Sequence, residues 1–161
     1  MNKLAGILML SMGLSASPAI LAGGPADKAT GSVELGEASP GVYFVFNAHE
    51  EKNGRPAKGQ IYMLTPEGYY SQWHVGCVLV ESPMAWFVGE LTLTTDPDLQ
   101  VGSALWVNVT DNGTPGTNGD TVALAVSAPG TAESLCEDLT TPPAEAVALP
   151  VLSGNLVVHA K

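Results

Sequence analysis

The sequence has little positive charge. Six Lys and Arg stand against 16 Asp and Glu in 161 residues. Phosphate-backbone binding needs clustered basic residues, so this balance argues against nucleic acid as a partner. It argues equally against docking on anionic lipid. Cysteine is scarce: Cys77 and Cys136 are the two present, and they form no CxxC redox motif. No apolar run approaches the roughly 20 residues of a membrane-spanning helix. No amphipathic helical stretch of ten or more residues follows the N-terminal segment. GxSxG, HExxH, GxxxxGK[ST] and the Rossmann glycine fingerprint are all missing, which removes the common signatures of hydrolases, zinc proteases and nucleotide binders. Charged residues make up 14% and apolar residues 45%, a composition that folds.

What is present begins with a leader. Lys3 precedes an uncharged apolar run over residues 4–14 (LAGILMLSMGL), followed by a small, Pro-broken segment over 15–22. This is the layout of a secretory signal peptide. Cleavage after Ala22, with Ala19 as the alternative, leaves residues 23–161 as one domain in the periplasm or secreted. Lys3 goes with the leader, leaving five basic residues against the same 16 acidic ones. In an exported chain an even cysteine count predicts a disulfide, and Cys77 with Cys136 is the one intramolecular pairing available.

The rest of the chain alternates apolar and polar residues in short runs separated by turn residues. Eight strands are predicted: 29–35, 41–50, Lys58–Leu64, 69–80, Met84–Thr94, 103–110, Thr121–Ser127 and 155–160. Lys52-Asn53-Gly54-Arg55, Thr65-Pro66-Glu67-Gly68, Glu81-Ser82-Pro83 and DNGTPGTNGD (111–120) link neighbours through residues suited to tight turns. Short links imply antiparallel neighbours. Residues 132–139 read as a single helical turn. The Pro-, Ala- and Thr-rich stretch 128–153 reads as a return loop that Cys136 ties to the fourth strand. The expected fold is all-β, a single antiparallel meander closed as an eight-stranded barrel, which removes exposed sheet edges. The alternative is an immunoglobulin-like sandwich, suggested by the Cys-to-Cys span with Trp86 between. Against it, Cys136 lies in the loop-like AESLCEDL, and no tyrosine sits two residues before it.

FNAHE, KGQIYM, the cysteine in GCVLVES, AWFVGELT, DNGTPG with a following GDTV, and a terminal GNLVVHAK occur in one order. That order resembles a broad group of mostly uncharacterised secreted bacterial proteins, some described as post-COAP domain proteins. The likeness spans 29–161, and the long alanine-rich return loop departs from it. The resemblance implies a compact β domain outside the cytoplasm and carries no catalytic residues to transfer.

Three constellations are candidate sites. In DNGTPGTNGD, Asp111, Asn112, Asn118 and Asp120 offer oxygens that suit Ca²⁺, although the spacing is not that of an EF-hand. The same residue types also serve a hairpin whose Asx side chains hold backbone N–H groups. The aromatics Tyr69, Trp73, Trp86 and Trp106 fall on central strands and could face a ligand or fill a core. By alternation Tyr69 shares a face with Trp73, and Tyr70 shares the other with His74. His49, His74 and His159 lack paired metal-ligand spacing, but pairing of first and last strands would bring His159 toward the second strand. Asp96 and Asp98 lie in a turn. The functional expectation is a non-enzymatic domain that binds a small molecule, a glycan or an envelope protein. The alternatives are a small extracellular enzyme with an unrecognised site and a structural module of the envelope.

Overall fold

The computed structural model describes residues 27–37, 41–51, 56–113 and 119–160. The strands are β1 (Lys28–Leu35), β2 (Val42–His49), β3 (Lys58–Leu64), β4 (Tyr70–Glu81), β5 (Met84–Thr94), β6 (Ala104–Thr110), β7 (Thr121–Ser127) and β8 (Val147–His159), with a short helix α1 (Ala132–Glu137) between β7 and β8. They form a closed antiparallel barrel in sequence order. Closure is made by β1 against β8, with Lys28 opposite His159 and Ala29 opposite Val158. The expected barrel is therefore the fold, and the immunoglobulin-like sandwich is excluded. The predicted leader lies outside the described residues.

Period-two alternation turns one face of each strand inward. Phe44, Phe46 and Ala48 of β2 are buried, whereas Tyr43 and Val45 are exposed. Inside lie Val33, Leu35, Phe44, Phe46, Ile61, Trp73, Val75, Phe87, Leu91, Leu105, Val107 and Val109, with others. Phe46 stacks on Phe87 with ring centroids 5.2 Å apart, and on its other side tilts against Phe44 at 5.3 Å. A Cβ at Gly31 would collide with the Phe46 ring, so this glycine makes room for that ring. The Trp73 indole N–H donates to Ser71 Oγ at 3.0 Å, which satisfies the polar atom of a fully buried ring. The interior is apolar, unlike the polar lumen of a transmembrane barrel. Among the described residues no helix is long and apolar enough to cross a membrane.

A second apolar cluster lies outside the barrel. Trp86, Val88, Ala104, Trp106 and Ala125 project outward from β5, β6 and β7, and Ala132, Leu135, Cys136, Leu139 and Ala146 pack over them. This is why β6 is buried on both faces over residues 104–107. The return segment is thus an outer layer, and three side-chain contacts help to fasten it. Cys77 and Cys136 form the predicted disulfide, with Cα atoms 5.9 Å apart. The Trp106 indole N–H donates to the Leu139 carbonyl at 2.7 Å. The Ser127 hydroxyl donates to Glu145 Oε1 at 2.9 Å.

One strand boundary differs from expectation by more than a single residue. The last strand begins at Val147, well before the predicted start at residue 155. Pro150 cannot donate to a ladder and argues locally against a strand. Its carbonyl still accepts from Gly36 N–H at 3.1 Å, and β7 pairs with residues 147–150. The free edge of β7 recruits this stretch, and that edge exists only in the folded sheet.

Candidate functional site

The three predicted constellations meet different fates. The aromatics are dispersed. Trp73 is inside the barrel at 0% exposure, and Trp86 and Trp106 lie beneath the outer layer at 8% and 2%. Tyr69, just before β4, is exposed. They do not converge on one surface.

In the 111–120 connection, Asn118 lies outside the described residues. Asp111 is engaged by backbone on both oxygens: Oδ1 accepts from Gly113 N–H at 2.9 Å and Oδ2 from Val158 N–H at 3.0 Å. Buried Asp120 accepts from Asn112 N–H at 2.8 Å, and the Asn112 amide donates to the Gly119 carbonyl at 2.6 Å. The Asp111–Gly113 contact is an Asx turn, the two Asn112 contacts cross the loop, and the Asp111–Val158 contact ties it to the last strand. Among the described residues no three His, Cys, Asp or Glu side chains converge as a metal would need.

The histidines do gather. Register places His159, Lys28, His49 and Lys58 in one row across β8, β1, β2 and β3. In the next row Asn47 stands opposite Gln60, Gln60 opposite His74, and His74 opposite Glu90 of β5. These outward side chains border an open groove of about 280 Å³ lined by Asn47, His49, Lys58, Gly59, Gln60 and His74. Partial burial, and then the charges of Lys58 and Lys28, hold the His49 pKa below the ordinary histidine value. Two of the chain's few cations, Lys28 and Lys58, thus flank His49 here, and Glu90 closes the far end of the next row.

The groove continues into an aromatic surface. Val45, Tyr62 and Gln72 form the next row, and Tyr43, Leu64 and Tyr70 the one after. Tyr43, Val45 and Leu64 are 53%, 41% and 43% exposed. Tyr62 and Tyr70 stack with centroids 6.3 Å apart, and the Tyr62 hydroxyl donates to Gln60 Oε1. The Gln60 backbone N–H donates to Asn47 Oδ1 at 2.9 Å. Both amides thus use their oxygens within the protein, and their NH₂ groups remain as donors.

The sequence named the three histidines and put Tyr70 on a face with His74, but it missed the lysines, amides and further tyrosines beside them because these are unremarkable one by one. A signal was nevertheless present. The pairs 49 and 58, 47 and 60, 45 and 62, and 43 and 64 are symmetric about Asn53-Gly54, the dipeptide that marks a hairpin centre. Reading outward from that turn with period two assembles the rows. No family model, curated protein or solved structure matches the chain.

Proposed function

We propose that this chain is a non-enzymatic β domain that acts outside the cytoplasm, secreted or in the periplasm, and binds its partner on the outer face of β2, β3 and β4. One observation carries the reading: among the described residues the return segment covers the outer face of β5, β6 and β7, and no segment covers the aromatic and polar rows of β2 to β4. Side chains fill the barrel interior, which leaves the outside as the binding surface. Exposed apolar patches rimmed by polar groups are typical of interaction sites. The leader-like N-terminus, the disulfide and the motif resemblance to secreted bacterial proteins all support a compartment outside the cytoplasm.

Expression with the leader in a bacterial host tests the compartment. The expected product is exported, begins at Gly23 and contains no free thiol. For the face, the mature protein is applied to glycan and peptide arrays beside the Tyr43→Ser, Leu64→Ser double variant. Binding that the double variant loses while keeping its melting temperature supports the face. Binding left intact in the variant overturns it.

A further inference from the structure

We propose that the groove between β2, β3 and β4 is a site for a carboxylate-bearing polysaccharide, a reading that rests on the surface-binding function above and specifies its ligand. The argument is one of donor inventory. Lys28 and Lys58 supply ammonium groups, which only donate. Asn47 and Gln60 hold their oxygens in internal hydrogen bonds and present NH₂ groups. His49 and His74 add imidazoles at the groove wall. Glu90, opposite His74 on β5, is the one acceptor at the edge of this row, and the surface from Lys28 to Gln60 is complementary to an acceptor-rich anion.

Further features select a sugar over a bare anion. The groove is open, so a polymer can run through it without its ends being enclosed. Adjoining the donors, on the same strands, are the stacked rings of Tyr62 and Tyr70 and the exposed ring of Tyr43. A pyranose has an apolar C–H face for such rings, hydroxyls for the amides and, when acidic, a carboxylate for the lysines. The three chemistries lie in adjacent rows: cations at His159–Lys28–His49–Lys58, amides at Asn47–Gln60, aromatics beyond. Elsewhere acidic residues dominate the chain, so a negatively charged polymer is attracted to this end and repelled from most of the remaining surface.

The test is affinity electrophoresis of the mature, disulfide-bonded protein through gels containing polygalacturonate, neutral dextran or polyphosphate. Polygalacturonate is expected to retard the wild type, less so as salt rises, polyphosphate to retard it less because it offers the tyrosines no C–H face, and dextran not to. Lys58→Gln should weaken retardation about tenfold, the effect of losing one charge-assisted contact. Thr140→Asp makes the same change in net charge on the exposed return segment and should leave retardation unaltered. Equal losses in K58Q and T140D would make the effect one of bulk charge and overturn the site. Equal retardation by polyphosphate or dextran would overturn the acidic-sugar assignment. If polygalacturonate does not bind, but another array ligand is lost on the Tyr43→Ser, Leu64→Ser variant, the inference falls and the wider reading stands. If neither binds, both fall.

Discussion

His49 is the residue whose setting departs most from its sequence. Lysines flank it on both neighbouring strands, Lys28 on β1 and Lys58 on β3. Partial burial and these two charges disfavour its protonated form. Its folded pKa therefore lies below the unfolded value, and as pH falls through the histidine range the unfolded chain takes up the proton first. Stability rises with pH in that window and is lost on acidification below about 6.5. The urea midpoint should be lower at pH 5.5 than at 7.5, and His49→Gln should reduce the difference. An undiminished difference would assign the loss to other groups. Asp111 is the second such residue. It holds Gly113 N–H and Val158 N–H at once, so Asp111→Ala should cost about 1–3 kcal/mol. Asp111→Asn, which keeps one carbonyl acceptor, should fall between. Equal melting temperatures in EDTA and in calcium are expected, because both carboxylate oxygens already serve the backbone. A rise in calcium that D111A abolishes would favour the metal-binding reading of this loop.

At the scale of the element, β4 shows how one residue redirects a strand. Ser71, Trp73 and Val75 point inward, and strict alternation would send Cys77 after them. Instead Val75 pairs with Gly89 and Cys77 with Val88, leaving Gly76 as a bulge. An extra residue reverses the faces that follow, so Val78 and Val80 turn inward while Cys77 and Leu79 join the outer cluster. The disulfide depends on this reversal, since Cys136 lies outside the barrel. Deleting Gly76 would set Cys77 directly after inward-facing Val75 and so keep it outward with the disulfide intact, whereas inserting one residue after Gly76 should turn Cys77 inward and leave two thiols that react with Ellman's reagent. Gly76→Ala should be tolerated, because a Cβ there meets no atom within 4 Å. Thiols in G76A or in the deletion, or a retained disulfide in the insertion, would argue against the bulge as the cause. In β8 an extra residue at Leu152 similarly shifts register, with Leu35 opposite Val151 and Glu34 opposite Ser153.

As a whole molecule the protein has two apolar layers joined by one covalent link. The barrel interior is continuous, whereas the outer layer under the return segment is smaller and rests on Trp86 and Trp106. The disulfide spans 59 positions, for which loop-closure entropy gives about 4 kcal/mol. Cys77→Ser with Cys136→Ser should therefore lower stability substantially without dissolving the barrel. The outer layer is expected to loosen first. Fluorescence of Trp86 and Trp106 should shift to the red and their quenching increase, with the β signal in circular dichroism retained and Trp73 still shielded. Loss of the β signal at the same point would mean that the two layers fold as one unit.

Local pattern carried most of the fold. Alternation in 41–50 and 103–110 marked strands, Asn-Gly and Pro-Glu-Gly marked turns, short links dictated antiparallel order, and two cysteines in an exported-type chain named their own partner. These signals are readable because each depends on residues within about ten positions of one another. Tertiary structure alone decided what depends on distant chain segments. Pro150 entered a strand because β7 offered an edge, and Trp106 was buried by Leu139 and not by its own sheet. Cys77 faced outward because the β4–β5 register absorbed a bulge. The row His159–Lys28–His49–Lys58 required closure of β1 on β8, which brings together residues from the two ends of the domain.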